Sequence, residues 1–166
     1  MGASVGPTPV VLEVLHLERP APSSLMLGAR RSSVPAPAGF TAADPNRAAA
    51  VASGLAGEDA EGPGDATWVH STSWRVDGAA VVLTFLAFGA DVARTAGWEP
   101  LDPVDPAVSP GRTTTVTLPR VLHHAMRHLA FLAARDAALR GQVEAAGLTR
   151  VLLADLSPAG VLPERG

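Results

Sequence analysis

The sequence predicts an α+β fold, an antiparallel sheet containing a hairpin over 66–88 and covered on its apolar face by a long helix near 118–146. Three observations carry this. Asp77-Gly78 stands between two β-rich runs, "WVHSTSWRV" and "AAVVLTFLAF", a strong short-range hairpin signal. From Leu118 onward, apolar residues recur at helical spacing. The 166 residues are 47% apolar and 17% charged, enough for one domain with its own core.

The elements follow in chain order. Residues 1–9 read as a flexible tail, 10–156 as a single α+β domain and 157–166 as a C-terminal tail. Val10 to Arg19 is rich in Val and Leu and stops at "RPAP", as a strand closed by prolines does. "SSLMLGARR" is an ambiguous second short strand. "SVPAPAGF" suits neither a helix nor a central strand, because Pro lacks the donor that both ladders need. In "DPNRAAAVASGLAG", Asp44 caps a helix, Pro45 fits its first turn and Gly57 closes it. An acidic loop, "GEDAEGPGD", follows; its carboxylates lack the alternation of a calcium loop.

Residues 89–112 read as a long connection with four prolines, in which Trp98 anchors the chain more readily than it contacts a ligand. "RTTTVT" is extended, and Thr117 caps the long helix with Pro119 in its first turn. That helix is expected to bend near Gly141 and end at Gly147, before a last short strand in "TRVLLADLS".

With Asp77-Gly78 as the two central residues of a type I′ turn, Val76 faces Ala79, Trp74 faces Val81 and His70 faces Phe85. Alternation then sets Trp68, His70, Thr72, Trp74, Val81, Leu83 and Phe85 on a core face. Ser71, Ser73, Arg75, Val82, Thr84 and Leu86 take the other. That second face is either half-solvated or the floor of a polar pocket with Arg75 as an anion clamp.

On the helix, Val121, Leu122, Ala125, Leu129 and Leu132 form the core stripe. His124, His128 and Arg135 border it, and Arg120, His123 and Arg127 lie on the more exposed side. Leu118–Arg135 holds three Arg, three His and no acid, a local reversal in a chain of net charge −3. His124 and His128 at i, i+4 are a bidentate platform for zinc or another divalent transition metal, with His70 as a third ligand if the helix docks on the hairpin. "HAMRH" has Ala125 where a metalloprotease motif has its Glu, and Asp136 points away on the helical wheel.

Other chemistries are excluded or unsupported. There is no Cys, hence no disulfide, thiolate metal site or Cys nucleophile. All 13 basic residues are Arg, which removes Lys-based Schiff-base and P-loop chemistry. The chain has no nucleophile elbow and no Gly-rich phosphate loop. It has no Nudix pattern either, since Leu132 stands where that motif needs Glu. Net acidity and the lack of paired strand aromatics argue against nucleic acid. Glu13 breaks the N-terminal apolar run, and no run approaches the ~20 residues of a membrane span, so the expectation is cytoplasmic.

The blocks "HSTSWR…LTFLAF" and "HHAMRHLAFL" resemble small conserved hypothetical proteins of GC-rich actinobacteria. The resemblance implies that the two blocks belong together and carries no activity. Three functions remain open. The first is a small anionic-ligand-binding or regulatory domain using Arg75, Ser71, Ser73, Arg127 and Arg135. The second is a metal-dependent enzyme on His70, His124 and His128, and the third a homo-oligomeric interaction or scaffold protein.

Overall fold

The computed structural model describes residues 8–18, 26–37, 40, 44–57, 67–89, 97–104 and 115–152. Residues 1–7 and 157–166 of the expected tails, the acidic loop after Gly57 and the first half of "RTTTVT" lie outside them.

The fold is α+β. Strands β1 (Val10–Glu18), β2 (Leu27–Pro35), β3 (Trp68–Asp77), β4 (Ala80–Phe88) and β5 (Glu99–Val104) form one sheet in the order β3-β4-β1-β2-β5. The sheet is mixed rather than antiparallel throughout, because β1 runs parallel to β4 while every other neighbouring pair is antiparallel. Helices α1 (Pro45–Ala52), α2 (Leu118–Arg135), α3 (Ala137–Ala145) and α4 (Thr149–Leu152) complete it.

Central strand β1 is buried on both faces, which explains its nearly unbroken apolar run. On one face Leu15, Leu17, Leu27, Ala29, Leu86 and Phe88 pack beneath α2, α3 and α4. On the other, Leu12, Val14, Val69, Phe85 and Ala87 pack with Ala49 and Ala50 of α1 and with Trp98. Trp98 is an anchor, as expected: it is buried, donates from Nε1 to the Ser53 carbonyl at 3.1 Å and sits edge-on to His16.

The hairpin departs from the expected register in two ways. Its central residues are Gly78 and Ala79, with Asp77 opposite Ala80. Gly78 has φ +58° and no described non-Gly residue has positive φ, so the turn is not type I′; glycine leads it, as in type II′. Second, a bulge inserts one residue of β3 between Ser71 and Ser73, and the strand's alternation changes phase there. Trp68 and His70 therefore share a face with Ser73, Arg75, Val82, Thr84 and Leu86. Trp74 goes to the opposite face and is exposed rather than core.

Three further expectations change. Strand β2 runs on to Pro35, which is tolerated because Ala36 N–H bonds to the Val10 carbonyl, turning position 35 away from β1, and β5 pairs only as far as Arg31. The connection over 89–112 contains β5, whose Pro100 and Pro103 suit an edge strand. The segment from Thr149 is helical where a strand is expected.

Helix ends also shift. Asp44 accepts from Arg47 N–H at 2.9 Å and caps α1 as expected, but Gly54, at φ +75°, follows its last turn in place of Gly57. The long helix breaks at Asp136 instead of bending at Gly141. Asp136 leaves helical geometry, and its Oδ1 accepts from Ala138 and Leu139 N–H at 2.8 and 3.1 Å, capping α3. Gly147, at φ +72°, closes α3 as expected.

This fixes two opposite mutational outcomes. Asp136→Ala removes a cap and is expected to cost about 1 kcal/mol. Gly141→Ala adds a methyl with no atom within 4 Å in a helix interior, and is expected to gain roughly 0.5–1 kcal/mol. Urea unfolding of both variants checks the pair.

Candidate functional site

Glu13 stands in the middle of β1, on the face that carries Leu15 and Leu17, and none of its surface is exposed. A buried carboxylate needs opposite charge and donors. Neighbouring strands supply both. Arg75 Nη1 and Nη2 donate to Glu13 Oε1 and Oε2 at 2.9 and 2.8 Å, a bidentate pair. Thr84 accepts from Arg75 at 3.1 Å and donates to Glu13 at 3.3 Å. Arg31 Nε lies 3.2 Å from Glu13 Oε2, an ion pair outside hydrogen-bond geometry. The hydrogen bonds to Glu13 lead the factors that raise the Arg75 pKa above its ordinary value, outweighing the opposing effect of burial.

Beside this cluster a cleft of about 290 Å³ opens between β3 and the start of α2. Ser73, Arg75, Arg120 and His124 give it polar walls, and Val116 and Val121 apolar ones; Trp74 also lines it. No carboxylate is among its lining residues. Thr117, the N-cap of α2, makes no side-chain bond to the first-turn amides.

The expected site residues are thereby divided. Ser73 and Arg75 meet at the cleft, but the Arg75 fork is already engaged by Glu13. Ser71 is on the other face, where its N–H donates to Asn46 of α1 at 2.9 Å. Neither Arg127 nor Arg135 lines the cleft. Arg135 lies over the Phe131 ring at 3.8 Å, fifteen residues along α2 from Arg120, or roughly 22 Å at helical rise.

The histidines do approach one another across the sheet–helix boundary. His70 stacks on Trp68 at 5.3 Å and on His128 at 5.6 Å, the two imidazoles inclined by 15°, and Trp68 stacks in turn on Phe88. Lone pairs in near-parallel rings do not converge on one ion. His124 is exposed and lines the cleft instead. Among the described residues no three His, Asp or Glu side chains are grouped to hold a metal ion. His123, expected on the exposed side, is buried, so the core stripe of α2 is broader than its apolar residues alone suggest.

Glu13, Arg31 and Arg120 are the site residues that sequence reasoning passed over. A signal for Glu13 was present: one acid in phase with Val11, Leu15 and Leu17, on a strand face otherwise apolar, must be paired if that strand is central.

No protein-family profile, no curated protein and no solved structure matches the chain. No helix among the described residues is long and apolar enough to cross a membrane.

Two measurements test the cluster and the stack. Glu13→Ala leaves Arg75 and Arg31 facing each other without their counter-charge and is expected to cost roughly 3–5 kcal/mol in chemical unfolding. Burial foremost, then the neighbouring His128, lowers the pKa of His70 from 6.5, and burial, then His124, lowers that of His128. The unfolded chain then binds more protons than the native one, so stability is full above the ordinary histidine range and falls as pH drops through 6.5 toward the depressed values. His70→Phe is expected to flatten that dependence in unfolding curves measured across the interval.

Proposed function

We propose that the chain is a small binding or regulatory domain for an anionic ligand, held in the cleft between β3 and the start of α2. One observation carries this reading: Arg75, Arg120, His124 and Ser73 line a cleft that no carboxylate lines. Glu13 has two arginines against its single charge, with Asp77 of β3 a further acid acting on Arg75. Held by Glu13 and Thr84, Arg75 is a fixed wall of positive charge rather than a mobile clamp. The ligand would bond to Arg120, His124 and Ser73 and experience Arg75 through its field. The amino-terminal end of α2 adds a favourable dipole for negative charge. This replaces the expected set of Arg75, Ser71, Ser73, Arg127 and Arg135 with one drawn from one place.

The test is thermal unfolding with phosphate, pyrophosphate or citrate against sodium chloride of matched ionic strength. Ligand at about a hundred times its dissociation constant stabilises by roughly 2.7 kcal/mol through mass action. Arg120→Ala is expected to weaken binding by about ten- to a hundredfold, as loss of a charge-assisted bond does. Equal midpoints in anion and chloride would overturn the reading.

A further inference from the structure

The two arginines on Glu13 are used differently. Arg75 spends both terminal nitrogens, on the carboxylate oxygens and on Thr84, and its side chain is 19% exposed. Arg31 meets the same carboxylate through Nε, and its side chain is 33% exposed. Of its three guanidinium nitrogens only Nε is buried, and neither terminal nitrogen donates to a described residue. A cation held in place by Glu13 thus leaves its terminal fork to solvent.

The surroundings of that fork suit an anion. Arg75 and Arg31 both approach Oε2 of Glu13, at 2.8 and 3.2 Å, which sets the two guanidinium groups within about 6 Å, so that one anion's charge acts on both. The register places Ser33 opposite Glu13, on the same face as Arg31, and Ser33 is exposed. Glu99, opposite Arg31 on β5, is exposed and forms no ion pair with it. Arg31 does not line the cleft, whereas Arg75 does. A compact anion bonded to Arg120 and His124 therefore leaves the fork unfilled, and a longer one passing Arg75 reaches it.

We infer that the ligand of the cleft carries two negative groups, the first on Arg120 and His124 and the second on the terminal fork of Arg31. This rests on the anion reading of the cleft and narrows it to two-headed anions, diphosphates or dicarboxylates, whose ends a guanidinium takes by paired N–H bonds. Ser33 adds a hydroxyl beside the second group. By fixing Arg31 along one edge, Glu13 preorganises the fork, so little side-chain freedom is lost on binding.

Calorimetric titration of the full chain at constant ionic strength tests this with two probe pairs, phosphate against pyrophosphate and butyrate against glutarate. In at least one pair the two-headed member is expected to bind at least about tenfold tighter, and that pair identifies the head group. Arg31→Gln is expected to cut the gain below about threefold while leaving the one-headed member within about threefold of its original affinity. Arg30→Gln removes the same charge from the opposite face and is expected to keep the gain. Arg75 still pairs with Glu13 in Arg31→Gln, and circular dichroism checks its fold; Arg31→Lys, which keeps a charge beside Glu13 without a fork, is the second variant and is expected to lose the gain as well. One-headed binding with no gain in either pair overturns the second contact alone. So does a gain that both Arg31 variants retain, or a loss that Arg30→Gln reproduces. No binding by any of the four probes overturns the cleft reading together with this one.

Discussion

A carboxylate with no access to water sits in the central strand, and it is tolerable only where its partners can reach it. Glu13 on β1 needs Arg75 from β3, Arg31 from β2 and Thr84 from β4, so one charge ties four of the five strands together. Slipping β1 by one residue would drive Glu13 among Ala49, Ala50, Phe85 and Trp98, with no donor set built for it. Apolar packing alone would tolerate such errors more readily, because both faces of β1 are oily. The pair specifies register where hydrophobicity is nearly indifferent to it.

The two sheet faces then acquire different work. The α1 side is closed by small residues and by Trp98, whose indole ties the approach to β5 to the end of α1. The α2 side changes character along its length. At one end Leu and Met side chains form the larger core; further along, the Phe88–Trp68–His70–His128 stack joins sheet to helix. Beyond it lie the Glu13 cluster and the cleft. Because α2 spans this gradient, its basic residues have separate fates. His128 packs in the stack, Arg120 and His124 reach the cleft, and Arg135 covers a phenylalanine.

Much of this was legible because periodicity is local. Strand β1, the hairpin, the start of α1, the start of α2 and the stop at Gly147 all follow from residues a few positions apart. What was not legible depended on distant partners. Pro35 can end a strand only because β5 stops short of it, which no local pattern records. The break at Asp136 rests on a capping geometry that competes with continued helix, and Ala-rich flanks hide the competition. Within the site, sequence reasoning put Arg75 on a polar face with Ser73 and Thr84, which holds. It gave Arg75 a ligand's role because its true partner lies 62 residues upstream.

The extra residue in β3 has a consequence for inheritance. Thr72 is the unmatched position, with its hydroxyl donating to the Thr84 carbonyl at 3.2 Å. It lets Trp68 and His70, on even positions, share a face with Ser73 and Arg75, on odd ones. Losing that one codon would close the bulge and leave Trp68, His70, Ser73 and Arg75 alternating onto one face, whereas losing two residues there would turn either the aromatic stack or the Glu13 partner to the wrong side. The spacing between His70 and Arg75 is thus a heritable length, five residues long, that descendants of this gene can shorten by one, closing the bulge, but not by two.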